Sequence, residues 1–133
     1  RLCDWSSDVC SSDLVEGDFA DPGLLAEWHG RVDVVVGNPP YVPADTPVDP
    51  EVRADPAEAV FAGADGLGAI AALLPLARAL LRPGGLLALE HDETHQDQVL
   101  ALLAGAGLAD ATGHRDLTGR PRFATATVPT VPL

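Results

Sequence analysis

Four consecutive residues, Asn38-Pro39-Pro40-Tyr41, combine side chains and backbone suited to holding a planar nitrogen. Such a nitrogen is a poor nucleophile because its lone pair is delocalised, so an enzyme that methylates it must hold both N–H groups and aim the lone pair at the methyl donor. The Asn38 side-chain carbonyl accepts one N–H group, and the backbone carbonyl of Pro39 accepts the other. The prolines stiffen the backbone and Tyr41 offers a flat stacking face. The motif therefore predicts methyl transfer to a planar nitrogen, catalysed by positioning and charge stabilisation.

A strand must position this motif. Residues 31–37 form a continuous β-branched run closed by glycine, which is typical of a parallel strand buried on both faces. Asn-Pro-Pro-Tyr could alternatively be a plain proline-rich turn, and the strand in front of it is what favours a site.

The rest of the pattern predicts an open α/β sheet. Apolar residues recur at helical spacing over residues 67–81, where Pro83-Gly84-Gly85 ends the helix, and over residues 96–106. Other predicted elements are a short strand end followed by a loop at residues 15–19, one or two helical turns at 24–29, and strands at 86–90, 110–116 and 122–128. In such sheets ligands bind beyond the carboxyl ends of the strands, so residues 18–19, 38–41 and 90–91 should line one edge.

Composition narrows the class of partner. The 133 residues suffice for one small domain, and the net charge is −12, with no lysine. An acidic surface repels phosphate, so we expect no direct binding of nucleic acid. The apolar run at residues 69–81 is too short to span a bilayer and the N-terminus lacks an apolar signal core, so we expect a cytoplasmic protein that contacts no membrane.

The first 14 residues look foreign to the domain. Ser6-Ser7-Asp8 recurs as Ser11-Ser12-Asp13, and residues 4–14 resemble the translation of a sequencing-adapter oligonucleotide. We therefore treat residues 1–14 as a non-native segment and residues 15–133 as the domain. Cys3 and Cys10 fall in this segment, so they indicate neither a disulfide nor a redox compartment.

Residues 15 to about 127 resemble the release factor glutamine methyltransferase family (PrmC/HemK). The resemblance rests on Gly17-Asp18-Phe19, on residues 32–43, and on Gly63-Ala64-Asp65-Gly66-Leu67. It extends over residues 55–60, 81–85, 89–91 and 116–123. It implies the carboxyl-terminal part of a seven-stranded, Rossmann-like class I methyltransferase domain that uses S-adenosylmethionine.

The resemblance also implies a substrate and residue roles. The family methylates N5 of the glutamine in the Gly-Gly-Gln motif of peptide chain release factors. Asn38, Pro39, Pro40 and Tyr41 would form the catalytic motif that holds the glutamine amide. Asp18 and Phe19 would lie beside the adenine of the cofactor, and Asn38 would also touch its methionine end.

Departures from the family pattern leave alternatives open. The glycine-rich cofactor loop would lie upstream of Val15, so we expect the chain to be inactive alone, and an inactive truncated binding fragment is one alternative. Asn-Pro-Pro-Tyr is shared with adenine-N6 methyltransferases of nucleic acids, an alternative that the acidic charge disfavours.

The spacing of His91, Asp92, Glu93 and His95 fits no standard set of metal ligands, so we expect no metal site. For Glu90, a role in the site and a capping or helix-contact role are equally open. Arg122 is expected to serve packing or surface charge.

Overall fold

The computed structural model of the chain describes residues 12–39 and 67–130. A 3₁₀ turn at Ala26–Trp28 precedes four strands and two helices, which run β1 (Val32–Gly37), α1 (Gly68–Leu80), β2 (Leu81–Glu90), α2 (Gln96–Gly105), β3 (Ala109–Arg115) and β4 (Pro121–Thr127). The predicted alternation of strands and helices is confirmed for these residues, including the short helical turn before β1.

The four strands form one mixed sheet in the order β1-β2-β4-β3. β1 and β2 are parallel, which requires a crossover connection such as the one containing α1. β4 is antiparallel to both β2 and β3. β4 therefore begins at the same edge of the sheet where β1 and β2 end.

One face of the sheet is covered by both helices. α1 contacts β1 and β2, and α2 contacts β3 and β4. The core residues of this face are buried and form a single cluster that includes Ile70, Leu73, Leu87, Leu89, Val99, Leu103, Ala124 and Ala126. Each fully buried leucine side chain contributes about 2 kcal/mol relative to an exposed one, so this covered face supplies most of the stability.

The opposite face, which we call the open face, is covered by none of the described elements. On it, Val34 and Val36 are 50% and 75% exposed. Their partners in β2 are Leu86 and Ala88, whose neighbours in β4 are Thr127 and Thr125. The prediction that residues 31–37 are buried on both faces is therefore wrong for the described residues, because both of their helices pack on the opposite face.

A second correction concerns the start of β2. Pro83-Gly84-Gly85 was expected to end the helix, but α1 ends at Leu80 and β2 starts at Leu81. The triplet lies in a bulge, because β2 advances from Leu81 to Leu86 while β1 advances from Val32 to Val34. Gly84 has a φ of 78°, a conformation that favours glycine, and its N–H donates to the Val128 carbonyl at 2.9 Å.

A third correction concerns residues 15–19, which form no strand. The Asp18 carboxylate accepts the Ala20 N–H at 2.9 Å, and the Asp18 carbonyl accepts the Asp21 N–H at 3.0 Å. These local bonds satisfy the backbone in a turn and compete with strand pairing. Neither α-helix in the described residues has both the length and the apolar character needed to cross a membrane.

Candidate functional site

Asn38 and Pro39 follow directly from β1 at the carboxyl edge of the sheet. Asn38 is exposed and Pro39 is buried. Gly37, the last residue of β1, pairs with Leu89, and a Cβ on Gly37 would lie 2.8 Å from Leu89 Cδ2 and 3.3 Å from Leu73 Cδ2. Glycine therefore lets the end of the strand lie against the core, which fixes where Asn38 begins.

A small pocket lies on one side of Asn38, and we call it the Phe19 pocket. It has a volume of about 210 Å³ and is lined by Phe19, Val35, Val36, Gly37, Asn38, Pro39 and Leu73. Phe19, which the family resemblance implies to lie beside a cofactor, thus lines the same pocket as Asn38 and Pro39. Asp18 is not among the lining residues, since its carboxylate caps the turn at Ala20.

A larger pocket lies on the other side of Asn38, and we call it the Phe123 pocket. It has a volume of about 430 Å³ and is lined by Val36, Gly37, Asn38, Ala88, Leu89, Glu90, Arg122 and Phe123. Phe123 pairs with Glu90 on β2 and with His114 on β3. Its ring stacks on the His114 ring, with centroids 4.7 Å apart and an interplanar angle of 14°.

Asn38 lies on the rim shared by these two pockets, because both linings include Val36, Gly37 and Asn38. Group transfer between two bound molecules needs the donor and acceptor sites to meet at one point. An arrangement in which one polar side chain borders two adjacent cavities meets that need. The first pocket is bordered by an aromatic ring and aliphatic side chains, whereas the second also carries the ionisable residues Glu90 and Arg122.

Arg122 is held in place by the turn between β3 and β4. Its Nε lies 3.4 Å from Asp116 Oδ2, and the two side chains are 23% and 28% exposed. The other Asp116 oxygen accepts the Thr118 hydroxyl at 2.5 Å and the Arg120 N–H at 3.1 Å. The Thr118 hydroxyl first, and then the Arg120 N–H, lower the pKa of Asp116 to about 2. Asp116 is therefore ionised near neutral pH and anchors Arg122 electrostatically.

A second carboxylate lies near Arg122. Burial raises the pKa of Asp92, but hydrogen bonds from Thr94 and the charges of His95 and Arg122 lower it below its usual value overall. The backbone beside it is also tied to β4, since the His91 N–H donates to the Arg122 carbonyl at 2.8 Å. Arg122 thus lies near two carboxylates, those of Asp116 and Asp92.

No family model matches the chain, but several curated proteins are similar to it. A release factor glutamine methyltransferase of Corynebacterium glutamicum is 49% identical over 116 residues, which cover 85% of this chain and 41% of the relative. The protein of the same name from Mycobacterium tuberculosis is 46% identical over 116 residues, covering 86% and 38%. That of Streptomyces coelicolor is 48% identical over 118 residues, covering 86% and 41%.

The resemblance to release factor glutamine methyltransferases is confirmed. The chain spans about two fifths of the length of these curated relatives. All three relatives are named as enzymes that methylate a glutamine of a protein. The mixed four-stranded sheet with its two helices fits part of a methyltransferase fold.

Several residues predicted from the resemblance to release factor glutamine methyltransferases lie outside the described residues. Pro40 and Tyr41, the second half of the motif, are among them, as are residues 55–60 and 63–66. Of residues 1–14, the structure describes 12–14, which are exposed and lie outside regular elements. Among the described residues, no group of three or more His, Cys, Asp or Glu side chains is placed to hold a metal ion.

Arg122 and Phe123 line the same pocket as Asn38, a placement that the sequence did not predict. Arg122 was expected to serve packing or surface charge, yet it lines the Phe123 pocket. The signal was present in the predicted turn before the last strand. A strand that returns antiparallel begins at the edge where the parallel strands end, so its first residues join the carboxyl-end site.

His91 is the one buried charged or polar residue of the described core. Its Nδ1 lies 2.8 Å from the Asp92 carbonyl oxygen, and because a carbonyl only accepts, Nδ1 carries the proton. Nε2 has no hydrogen-bond partner among the described residues. The backbone N–H of His91 links the end of β2 to β4, and the His91 side chain lines neither pocket beside Asn38.

Proposed function

We propose that this chain is part of an S-adenosylmethionine-dependent methyltransferase that methylates N5 of the glutamine in the Gly-Gly-Gln motif of peptide chain release factors. The observation that carries the proposal is the place of Asn38, on the rim between the Phe19 pocket and the Phe123 pocket. A methyl donor on one side and a glutamine on the other would meet at this residue. The names of the relatives support the choice of substrate.

The residues beside the Phe19 pocket suit one part of the cofactor. A flat aromatic ring and aliphatic side chains favour the adenine, and Phe19 supplies the ring. A volume of about 210 Å³ is below that of most ligand pockets, so it would hold only part of the cofactor. Asp18 is one residue away and would contribute from the turn, and Asn38 would touch the methionine end. When bound, S-adenosylmethionine supplies the methyl group.

The chain's own residues would position the glutamine amide. The Asn38 side-chain carbonyl accepts one N–H group and the Pro39 carbonyl accepts the other, which aims the nitrogen lone pair. Pro40 would stiffen this backbone, and Tyr41 would stack on the amide plane. Preorganised acceptors act where charge changes in the transition state and need no rearrangement there, so most of the catalysis would come from positioning.

The proposal has consequences for the whole protein. The four strands would be part of a seven-stranded class I methyltransferase sheet, with residues 15–133 as a partial catalytic domain and residues 1–14 as a non-native segment. The chain alone would then be inactive, because the glycine-rich cofactor loop of the family has no counterpart in residues 15–133. The partner would be the release factor, in the cytoplasm, with no direct contact to nucleic acid or membrane.

Mass spectrometry of a release factor incubated with S-adenosylmethionine and the protein, its upstream sequence restored from the source DNA, tests the proposal. We expect one added methyl group on the glutamine of Gly-Gly-Gln. Asn38→Ala should lower the rate by about a hundredfold or more, because it removes one preorganised polar contact. Gln98→Ala is the matched control, since it truncates an exposed amide side chain on α2 that lines neither pocket.

Three outcomes separate the alternatives. Methylation of the glutamine that depends on Asn38 supports the proposal. Methylation of adenine in nucleic acid, with none on the release factor, would instead establish the shared Asn-Pro-Pro-Tyr chemistry on another substrate. Glutamine methylation that Asn38→Ala leaves intact would remove Asn38 from the mechanism.

A further inference from the structure

A row of side chains crosses the open face at the carboxyl edge of the sheet. Glu90, Phe123 and His114 are consecutive partners across β2, β4 and β3. Asn38 extends this row on the side of β1, since Gly37, which precedes it, pairs with Leu89. The Phe123 pocket lies along the first part of the row, so it runs away from Asn38 on the side opposite the Phe19 pocket.

The Phe123 pocket has an apolar floor and a charged end. Val36, Ala88 and the Phe123 ring provide apolar surface, while Glu90 and Arg122 provide an acceptor and a donor. Its volume of about 430 Å³ falls within the usual range for ligand pockets. An extended peptide backbone with small side chains matches this combination, because it needs a flat apolar surface together with partners for its N–H and C=O groups.

The charges near Arg122 favour a neutral acceptor over a phosphate. Asp116 lies 3.4 Å from the Arg122 guanidinium, and the Asp92 carboxylate is close enough for the charge of Arg122 to lower its pKa. Glu90 lines the same pocket. A phosphate bound by Arg122 would be repelled by these three carboxylates, and Arg120, the neighbouring arginine of the turn, is paired with Glu93 at 3.7 Å. A peptide carbonyl can accept a hydrogen bond from the Arg122 guanidinium without that repulsion.

We propose that the Phe123 pocket binds the peptide backbone beside the target glutamine, with Arg122 as a specificity-determining residue that donates to a backbone carbonyl and Asp116 as the positioning residue that orients it. This inference rests on the proposed function and extends it to the flanking segment of the substrate. The two glycines before the glutamine present a backbone without side chains to the apolar floor. Asp116 has two roles: one oxygen holds the turn, and the other faces Arg122, so its effect on the substrate passes through Arg122.

Steady-state kinetics on two substrates test this subsite in the protein with its upstream sequence restored. One substrate is a peptide containing Gly-Gly-Gln, and the other is N-acetylglutamine amide, which carries the same target without the flanking peptide. Arg122→Gln should lower kcat/KM about tenfold more for the peptide than for the short amide, with the difference in KM, because a hydrogen bond from a charged donor is lost. Arg122→Lys should recover part of this difference by keeping the charge.

Two further variants separate positioning from structural damage. Asp116→Asn should raise the peptide KM by a smaller factor, and it should add nothing in the Arg122→Gln background, because it acts through Arg122. Arg115→Gln is the matched control, since Arg115 lies in the same hairpin and donates to the Gly119 carbonyl at 2.6 Å without lining the pocket. It should leave the peptide KM unchanged.

The outcomes distinguish this inference from the function on which it rests. Equal losses on both substrates, or an unchanged peptide KM in Arg122→Gln while Asn38→Ala abolishes methylation, would overturn the subsite and leave the function standing. Additive effects of Asp116→Asn and Arg122→Gln would overturn the positioning role. A wild-type protein that methylates neither glutamine substrate would overturn both the function and the subsite.

Discussion

The two faces of the sheet differ in what supports them, although the same four strands form both. On the covered face, Leu87 and Leu89 are fully buried beneath the helices. On the open face, Val36 is 75% exposed and none of the described elements lies above it. Both faces end at the same edge, where Asn38 and the two adjacent pockets lie.

Most of the residues that stabilise the fold are therefore different from those that border the two pockets. Every apolar residue of the buried core lies between Ile70 and Val128, and β1 contributes only the partly buried Val32 and Val35. The strand that carries Asn38 therefore contains no fully buried side chain. Its position depends on pairing with β2 and on the close approach of Gly37 to Leu89.

The largest expected effect comes from a matched pair of substitutions in β2. Leu87→Ala should lower the free energy of unfolding by about 2 to 5 kcal/mol, because it leaves a cavity in a packed core. Leu86→Ala, the same change one residue earlier on the open face, should cost clearly less. Chemical denaturation of the two variants measures the difference. Equal losses would mean that the open face is covered in solution.

The same two substitutions, made in the protein with its upstream sequence restored, test whether the open face becomes buried there. If further strands and helices complete a seven-stranded sheet, the open face becomes buried, and Leu86→Ala should then approach the cost of Leu87→Ala. A Leu86→Ala variant that remains mild in the longer protein would contradict the proposed completion of the sheet.

The next effect concerns the glycine that links the covered face to the site. Gly37→Ala places a methyl group 2.8 Å from Leu89 Cδ2, and Leu89 is fully buried and cannot move aside freely. We expect a loss of about 1 to 3 kcal/mol from overpacking, measured by thermal or chemical denaturation. Gly105→Ala is the control, since a Cβ there meets no atom within 4 Å. An equally stable Gly37→Ala variant would show that the strand end adjusts without strain.

The sequence predicted the elements better than their surroundings. Local periodicity located both helices and three of the strands to within a few residues, because apolar spacing reflects which side chains pack inward. Burial of β1 on both faces failed as a prediction because a run of valines does not specify which elements cover each face of the strand. The bulge at Gly84 was missed since Pro-Gly-Gly is equally compatible with the end of a helix.

The site was predicted in the same uneven way. Asn38, Pro39 and Phe19 border one pocket, but Phe19 reaches it from a turn and not from the predicted strand end. The predicted turn indicates the edge at which Arg122 and Phe123 lie, but their contact with β2 depends on β4 inserting between β2 and β3, a pairing order that local pattern does not encode. The stacking of Phe123 on His114 depends on that register as well.

A smaller effect should appear at the acidic turn beside the Phe123 pocket. The Thr118 hydroxyl is the leading cause that lowers the pKa of Asp116 to about 2, so Thr118→Ala should raise that pKa toward its usual value near 3.9. A carboxyl whose pKa falls on folding stabilises the folded state above its unfolded pKa, and this contribution is lost as the pH falls through the folded pKa. The wild-type turn should therefore weaken between about pH 4 and pH 2.

An NMR titration of the Asp116 carboxyl in wild type and in Thr118→Ala measures this shift directly. Thr112→Ala is the control, because the Thr112 hydroxyl bonds to the Asp110 carbonyl and not to Asp116. An Asp116 pKa that stays near 2 without the Thr118 hydroxyl would mean that the backbone N–H groups alone hold the charge.

The smallest effect is expected at the other end of the sheet, where Arg82 Nε lies 2.5 Å from Asp33 Oδ1. The two side chains are 48% and 77% exposed, so water screens the pair and holding two flexible side chains together costs entropy. Asp33→Asn should therefore change the free energy of unfolding by less than about 1 kcal/mol, and less still at high salt. A larger loss, measured by chemical denaturation at low and high salt, would mean that the bulge in β2 depends on this ion pair. Polar contacts would then support β1 as strongly as the covered face does.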